Sequence, residues 1–201
     1  MTAILKVDTI QDTAGNNIIN ESSDTITIGA SGDTIALAGT TVTGITQGIT
    51  EADQWRLTTS FTGDAAPIAT NLERVDRAGW GKIGTGMSQS SGIFTFPSTG
   101  IWFVKFRVNN VYSGANLYSI GAIQVTTNNS SYANIASSEQ GITNAGVSVY
   151  SNTLSETLID CTNTSNVKVR FNVSVENNST TTVGDTNVSY TSMMFIRLGD
   201  T

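Results

Sequence analysis

The amino-acid sequence predicts an all-β protein, in which a β-rich N-terminal arm precedes a jelly-roll sandwich head. Threonine, serine and asparagine number 31, 22 and 18 of the 201 residues, and there are only two prolines. Threonine with scattered valine, isoleucine and aromatic residues favours strands, whereas asparagine, serine and glycine favour turns. Apolar and polar residues alternate with a period of two along several segments, which is typical of half-buried strands.

Residues 1–50 form the predicted arm. They contain no aromatic residue, so they cannot build a core of large side chains, yet isoleucine, valine and leucine alternate there with threonine and aspartate. The segment 24–29 is matched nine residues later by the segment 33–38. Strand–turn units of this kind bury their apolar face against neighbours or against other copies. We therefore expect an intertwined, β-rich stalk around a shared axis, with a flexible low-complexity arm as the alternative. The candidate stalk residues are Ile26, Ile28, Ile35 and Leu37.

A short connector is predicted where the arm meets the head, which occupies residues 51–201. Residues 50–53 have the form of a capping box, with Thr50 as the N-cap and Asp53 three residues later. This pattern predicts a short helix that ends near Arg56.

The head is predicted to be a run of strands separated by turns. Apolar side chains alternate with polar ones in residues 102–108 and 167–175, and in residues 190–198 Met193 and Phe195 form one face. Strands at this spacing are typical of a sandwich or barrel of the jelly-roll type. Turns are predicted at residues 109–110, 113–114, 128–131, 177–182 and 184–185.

The residue types that are missing exclude several kinds of chemistry. There is no histidine, which is the commonest general base and metal ligand, and a lone cysteine, Cys161, cannot form an internal disulfide. We expect Cys161 to be a small buried core residue. A net charge of −6 provides no basic surface for nucleic acid. No segment has the apolar pattern of a signal peptide or a membrane span, so we expect neither secretion by a signal sequence nor membrane insertion.

Three further patterns could indicate a site. Residues 79–84 read G-x-G-x-x-G, but charged residues precede them and a serine- and glycine-rich stretch follows, so a turn is favoured over a nucleotide site. The carboxylates are scattered without a pairing that would suggest glycoside hydrolysis. The oxygen-bearing residues near 12–17 and 177–185 do not follow the order of a calcium loop. We expect no enzyme activity, no cofactor, and no catalytic, cofactor-binding or metal-binding residues.

One stretch in the head resembles a known family. Residues 91–104, S-G-I-F-T-F-P-S-T-G-I-W-F-V, resemble the G-x-F-x-x-P-x-x-G-x-Y-x-F signature of the complement component 1q and tumour-necrosis-factor-like jelly roll. Trp102 stands where that family usually has tyrosine, and Val104 stands where it often has phenylalanine. Residues 192–198 resemble the C-terminal strand of that fold. The resemblance covers roughly residues 60–201 and implies a homotrimer that presents loops away from a stalk.

The arm carries a second resemblance. Residues 4–16, I-L-K-V-D-T-I-Q-D-T-A-G-N, resemble an opening common in tail-fibre and other appendage proteins of bacteriophages. Together, the two resemblances imply a virion protein, made in the host cytoplasm, whose arm binds other virion proteins. Its homotrimeric head would recognise the host surface. The alternative is a structural decoration, head or neck fibre protein with no receptor-binding role.

The expected host partner is a surface glycan or protein, because loops rich in serine, threonine and asparagine can form many hydrogen bonds while adding little charge. Aromatic residues near turns could stack on such a partner, although each of them could equally be a core or trimer-axis residue. The candidate receptor-contact residues are Tyr112, Asn116, Tyr118, Asn129, Tyr132, Asn177 and Asn178.

Overall fold

The computed structural model describes residues 48–201 and, before them, residues 9–11, 13, 17–22, 25–28 and 32. The chain forms two compact units, residues 1–46 and 47–201. The described residues form fifteen strands and no helix, which confirms the all-β class. Accordingly, no helix in the described part of the chain is long and apolar enough to cross a membrane.

The first unit contains a three-stranded antiparallel sheet in the order β1-β2-β3. Ile26 and Ile28, two of the candidate stalk residues, lie on β3, whereas Ile35 and Leu37 lie outside the described residues. The stalk shared between copies stays a prediction. The strands are β1 (Thr9–Gln11), β2 (Asn17–Ser22) and β3 (Thr25–Ile28).

The second unit, the head, is built from two antiparallel sheets. The smaller sheet has the order β11-β10-β13-β8-β7, and the larger has the order β5-β14-β9-β15-β4-β6. In the larger sheet β12 pairs with the other edge of β9 over the full length of both strands. The strands of the head are β4 (Ala52–Leu57), β5 (Phe61–Thr62), β6 (Leu72–Arg74), β7 (Ser88–Ser90), β8 (Ile93–Thr95), β9 (Gly100–Tyr112), β10 (Asn116–Thr126), β11 (Ala133–Ile142), β12 (Val149–Cys161), β13 (Lys168–Val175), β14 (Thr181–Thr182) and β15 (Ser192–Gly199).

An aromatic core lies between the two sheets. The inward side chains of β9, β13 and β15 follow the period of two that their sequences predict, and Trp102, Phe171 and Phe195 are at most 1% exposed. The Phe171 ring packs against Phe106 and Phe195, with centroids 5.0 and 5.8 Å apart. Burial of each such side chain stabilises the fold by about 1.5–3 kcal/mol. Cys161 belongs to the same core, as expected.

The signature stretch has a direct structural explanation. Gly92 forms the turn between β7 and β8 with φ +79°, and a Cβ there would lie 2.3 Å from the carbonyl oxygen of Ile68. Gly100 begins β9 with φ +139°, and a Cβ there would meet Gly199 O at 2.5 Å. Only glycine fits both demands at these positions. The stretch therefore fixes how β8 and β9 enter the two sheets.

The prediction of a short helix that ends near Arg56 is wrong, because residues 52–57 form β4 instead. The Asp53 carboxylate, read as part of a capping box, is 2% exposed and accepts a hydrogen bond from Met87 N at 2.8 Å. It also forms an ion pair with Arg74 at 3.0 Å. The local capping pattern is overridden because β4 pairs with both β15 and β6 and because the Asp53 carboxylate is buried.

The turn predicted at residues 109–110 is also wrong, since both asparagines lie inside β9. Asn110 is fully buried, and its Oδ1 accepts a hydrogen bond from Thr182 Oγ1 at 3.1 Å. Asn109 pairs across the sheet with Asn152, to which its side chain donates at 3.3 Å. Cross-strand partners thus replace the local backbone bonds that make asparagine a turn former.

Candidate functional site

The head has two ends, and the strand registers assign each loop to one of them. The chain enters the head at Ala52 of β4, which pairs with Ile196 of β15, and Ile196 in turn lies beside the start of β9. We call this side of the head the entry end. The side where β9 finishes is the distal end. Because β9 has 13 residues, the two ends are about 40 Å apart. The entry end carries loops 96–99, 127–132 and 162–167, and the distal end carries loops 113–115, 143–148 and 176–180.

The structure brings five of the seven candidate contact residues together at the distal end. These are Tyr112, Asn116, Tyr118, Asn177 and Asn178. Asn129 and Tyr132 lie in the loop between β10 and β11, at the entry end. The two groups are separated by the length of β10 and cannot form one contact surface.

Asn116 ties two distal loops together. Its side chain is 1% exposed, and its Nδ2 donates to Tyr118 O and to Ser119 Oγ, both at 2.8 Å. Its Oδ1 accepts a hydrogen bond from Asn177 N at 2.9 Å, and Glu176 N donates to Tyr118 O at 3.1 Å. Asn116 therefore positions loops 113–115 and 176–180 rather than presenting its own amide to solvent.

An irregular register at the start of β10 exposes two large side chains. Asn116 pairs with Ile142 and Ser119 pairs with Gln140, so one more residue lies between the partners on β10 than on β11. As a result Leu117 and Tyr118, which are adjacent, are 78% and 38% exposed. A groove of about 560 Å³ runs beside Leu117, with residues 140–144 on its other side.

The remaining distal candidates differ in accessibility. The Tyr112 ring is half-buried and packs over Gly114, where a Cβ would lie 2.7 Å from Tyr112 Cε1. Asn177 is half-buried and its Oδ1 accepts a hydrogen bond from Ser179 N at 3.0 Å, whereas Asn178 is exposed. Of the five candidates at the distal end, Tyr118 and Asn178 are therefore exposed, and Leu117 is exposed beside Tyr118.

The two entry-end candidates have local structural contacts. Asn129 has φ +55°, and its backbone N–H donates to Asn166 O at 2.9 Å. The Tyr132 ring lies under the Arg170 guanidinium, with the centroid 4.0 Å from Cζ, and its hydroxyl is buried. Burial raises the pKa of Tyr132. Asn129 thus joins the 127–132 loop to the neighbouring loop 162–167, and Tyr132 packs it against β13 of the smaller sheet.

Strand β12 has an inverted pattern, which the sequence analysis missed. Over its first half the inward side chains are Ser151, Thr153 and Ser155, and only Ile159 and Cys161 near its end join the apolar core. Leu154 and Leu158 point outward and are 45% and 59% exposed. Tyr150, on the same outward face, is 65% exposed. The sequence shows that polar and apolar residues alternate here, but it does not indicate that the polar residues face the core.

Close approach of the two sheets explains why small polar residues face inward on β12. A Cβ on Gly121 of β10 would lie 2.7 Å from Thr153 Oγ1, so there is no room for larger side chains. Ser155 Oγ donates to Gly121 O at 2.7 Å, which joins the two strands directly. The leucines consequently remain on the outward face, where they alternate with Asn152, Glu156 and Asp160. We call Tyr150, Leu154 and Leu158 the β12 strip.

The carboxylates near the start of the head stabilise the fold. Glu73 and Asp76 both accept hydrogen bonds from the buried Arg56, the latter at 2.7 Å, and this guanidinium holds the pKa of Asp76 below its usual value. Asp64 accepts a hydrogen bond from Val175 N at 2.7 Å. Within the described residues no three carboxylate or cysteine side chains converge as a metal site would require.

No family model and no curated protein matches the sequence of the chain. Solved structures do match its fold. Murine APRIL at pH 5.0 aligns with a TM-score of 0.54 and 9% identity over 74% of this chain and 98% of that one. Eiger TNF from S. frugiperda aligns with a TM-score of 0.55 and 11% identity over 75% and 93% of the respective chains. The head is a jelly roll of the tumour-necrosis-factor type. This agrees with the fold implied by the signature at residues 91–104.

Proposed function

We propose that the chain is a non-enzymatic bacteriophage virion appendage whose head recognises the host cell surface. The arm motif at residues 4–16 supports the virion origin, and the arm would bind other virion proteins. The observation that carries the recognition role is the grouping of five candidate contact residues at the distal end, opposite the point where the chain enters the head. Loops placed there are the part of a fibre head that a host surface can reach.

The chemistry of the distal end suits an uncharged or weakly charged partner. Leu117 and Tyr118 offer apolar and aromatic contact area, and Asn178 offers an amide that both donates and accepts hydrogen bonds. Asn116 holds the surrounding loops in place, so less conformational freedom is lost on binding. A surface glycan or the polar surface of a host protein fits these groups.

We propose that the head acts as a homotrimer. The β12 strip supports self-association, because three large apolar side chains share one exposed strand face. The tumour-necrosis-factor type of fold is consistent with this arrangement. Three identical distal ends on one rigid body would bind a repetitive surface much more tightly than one, through effective concentration.

The recognition role is tested by competition for adsorption. We expect the purified protein to slow adsorption of the parent phage to its host. The L117S/Y118A double variant should compete at least about tenfold less well, since exposed aromatic and apolar anchors carry much of the binding energy. The matched control is Asn129→Gly, which changes an exposed loop at the entry end, accepts φ +55° and should compete like the unmodified protein.

A second test removes the protein from the virion and distinguishes recognition from decoration. If particles that lack it adsorb normally but lose stability, the recognition role is wrong and the decoration alternative is supported. Equal competition by the double variant and the unmodified protein would place recognition elsewhere on the head.

A further inference from the structure

A pocket of about 440 Å³ opens between β10 and β11 near the distal end of the head. Five residues line it, namely Leu117, Tyr118, Glu139, Gln140 and Gly141. We propose that this pocket binds a sugar unit that carries a free ammonium group. The proposal rests on the recognition role proposed above and names the chemical class of the host glycan.

The strand registers place Tyr118 and Glu139 on the same face of the smaller sheet. Ser119 and Gly121 face the core, so the alternating positions Tyr118 and Ile120 face outward. Ile120 pairs with Glu139 of β11, and paired residues of an antiparallel sheet lie on the same side. The aromatic ring and the carboxylate are therefore diagonal neighbours on the outer face of the smaller sheet. The β12 strip faces outward from the larger sheet, so the pocket is not on the face proposed for contact between copies.

Glu139 has no cationic partner in residues 48–201. The ion pairs of this part of the chain do not include its carboxylate. The sequence has no lysine or arginine in residues 108–167 or 171–196, which contain all the distal loops. The nearest cation along the smaller sheet is Arg170, which pairs with Gln124, and this position on β10 is roughly 13 Å from the partner of Glu139. A carboxylate that lines a pocket without a cation favours a cationic ligand.

A second carboxylate lies on the other side of Tyr118. Glu176 N donates to Tyr118 O at 3.1 Å, which places Glu176 beside Tyr118 across the sheet. The Glu176 carboxylate accepts a hydrogen bond from Leu117 N at 3.3 Å, and this bond holds it at the start of β10. Tyr118 therefore lies between two carboxylates. Their field attracts an ammonium group, and the exposed face of the ring attracts it as well.

The other groups of the pocket fit a sugar ring rather than a simple alkyl amine. The Tyr118 ring offers a face on which a sugar can stack, and Leu117, which is 78% exposed, extends this apolar surface. The Gln140 amide donates only a long bond of 3.4 Å, to its neighbour Gly141 O, so its own oxygen can accept from sugar hydroxyls. The volume of about 440 Å³ is within the usual range for small-ligand sites.

The test uses the full chain and three probes, glucosamine, N-acetylglucosamine and ethanolamine, at about pH 6, where glutamate carboxyls are ionised. We expect glucosamine to shift the amide resonances of Gln140 and Gly141 in a saturable way. It should bind at least about fivefold more tightly than N-acetylglucosamine, which has the ring without the charge. Ethanolamine has the charge without the ring and should bind at least about fivefold more weakly than glucosamine. Glu139→Gln should remove the preference for glucosamine, and Tyr118→Leu should weaken the binding of both sugars.

The matched control is Asp200→Asn, which makes the same acid-to-amide change at a side chain that is 92% exposed and lies outside the pocket. It should leave all three affinities unchanged. The proposal is overturned if the two sugars bind equally, if neither saturates, or if Glu139→Gln and Asp200→Asn behave alike. Competition for adsorption is measured separately with the L117S/Y118A variant. Loss of competition without glucosamine binding would overturn the amino-sugar assignment alone, whereas glucosamine binding without loss of competition would overturn the recognition role.

Discussion

At the scale of single residues, Gly92 links the sequence signature to stability. Its φ of +79° strains any L side chain, and a Cβ would lie 2.3 Å from Ile68 O, a backbone atom that cannot move alone. We expect Gly92→Ala to lower the free energy of unfolding by at least about 2 kcal/mol, measured by chemical denaturation at a fixed protein concentration. Gly146→Ala is the matched control, with φ +68° and nothing within 4 Å, and should cost about 1 kcal/mol. Equal losses in the two variants would contradict the steric explanation.

At the scale of elements, some strands could be predicted from the sequence and others could not. The strands β9, β13 and β15 show apolar alternation because one face of each lies in the aromatic core. Strand β4 resembled a helix start, since its buried Asp53 finds partners on Arg74 and Met87 that are distant in sequence. Strand β12 escaped prediction because the inward side chains of its first half are polar. The contact residues near turns were found from residue type, but only the registers show that Asn129 and Tyr132 lie at the opposite end.

Strand β12 also carries a prediction of its own. The L154S/L158S double variant should keep the fold, because both side chains are exposed, but should weaken self-association of the head by at least about tenfold. The measurement is the oligomer mass as a function of protein concentration, with circular dichroism to verify the strands. Leu117→Ser is the control, since it changes an even more exposed leucine at the distal end and should leave the mass unchanged. A double variant with unaltered association would exclude the β12 strip as the contact between copies.

At the scale of the whole molecule, the head, the proposed contact between copies and the arm differ in how far the sequence predicts them. The fold of the head was accessible from sequence because Gly92 and Gly100 each meet a backbone constraint that no other residue satisfies. The proposed contact between copies could not be derived in the same way, since exposed apolar residues on a strand are recognisable only when the strand's inward face is known. The arm could be distinguished from the head in the sequence because all the aromatic residues of the chain occur at or after Trp55.

The measurement that tests the central proposal most directly is the absolute mass of the full chain in solution by light scattering. We expect three times the chain mass of 21.2 kDa, independent of concentration in the micromolar range. Residues 47–201 alone should give the same stoichiometry if the head drives assembly. A monomer for both would contradict the homotrimer and, with it, the multivalent recognition of a host surface.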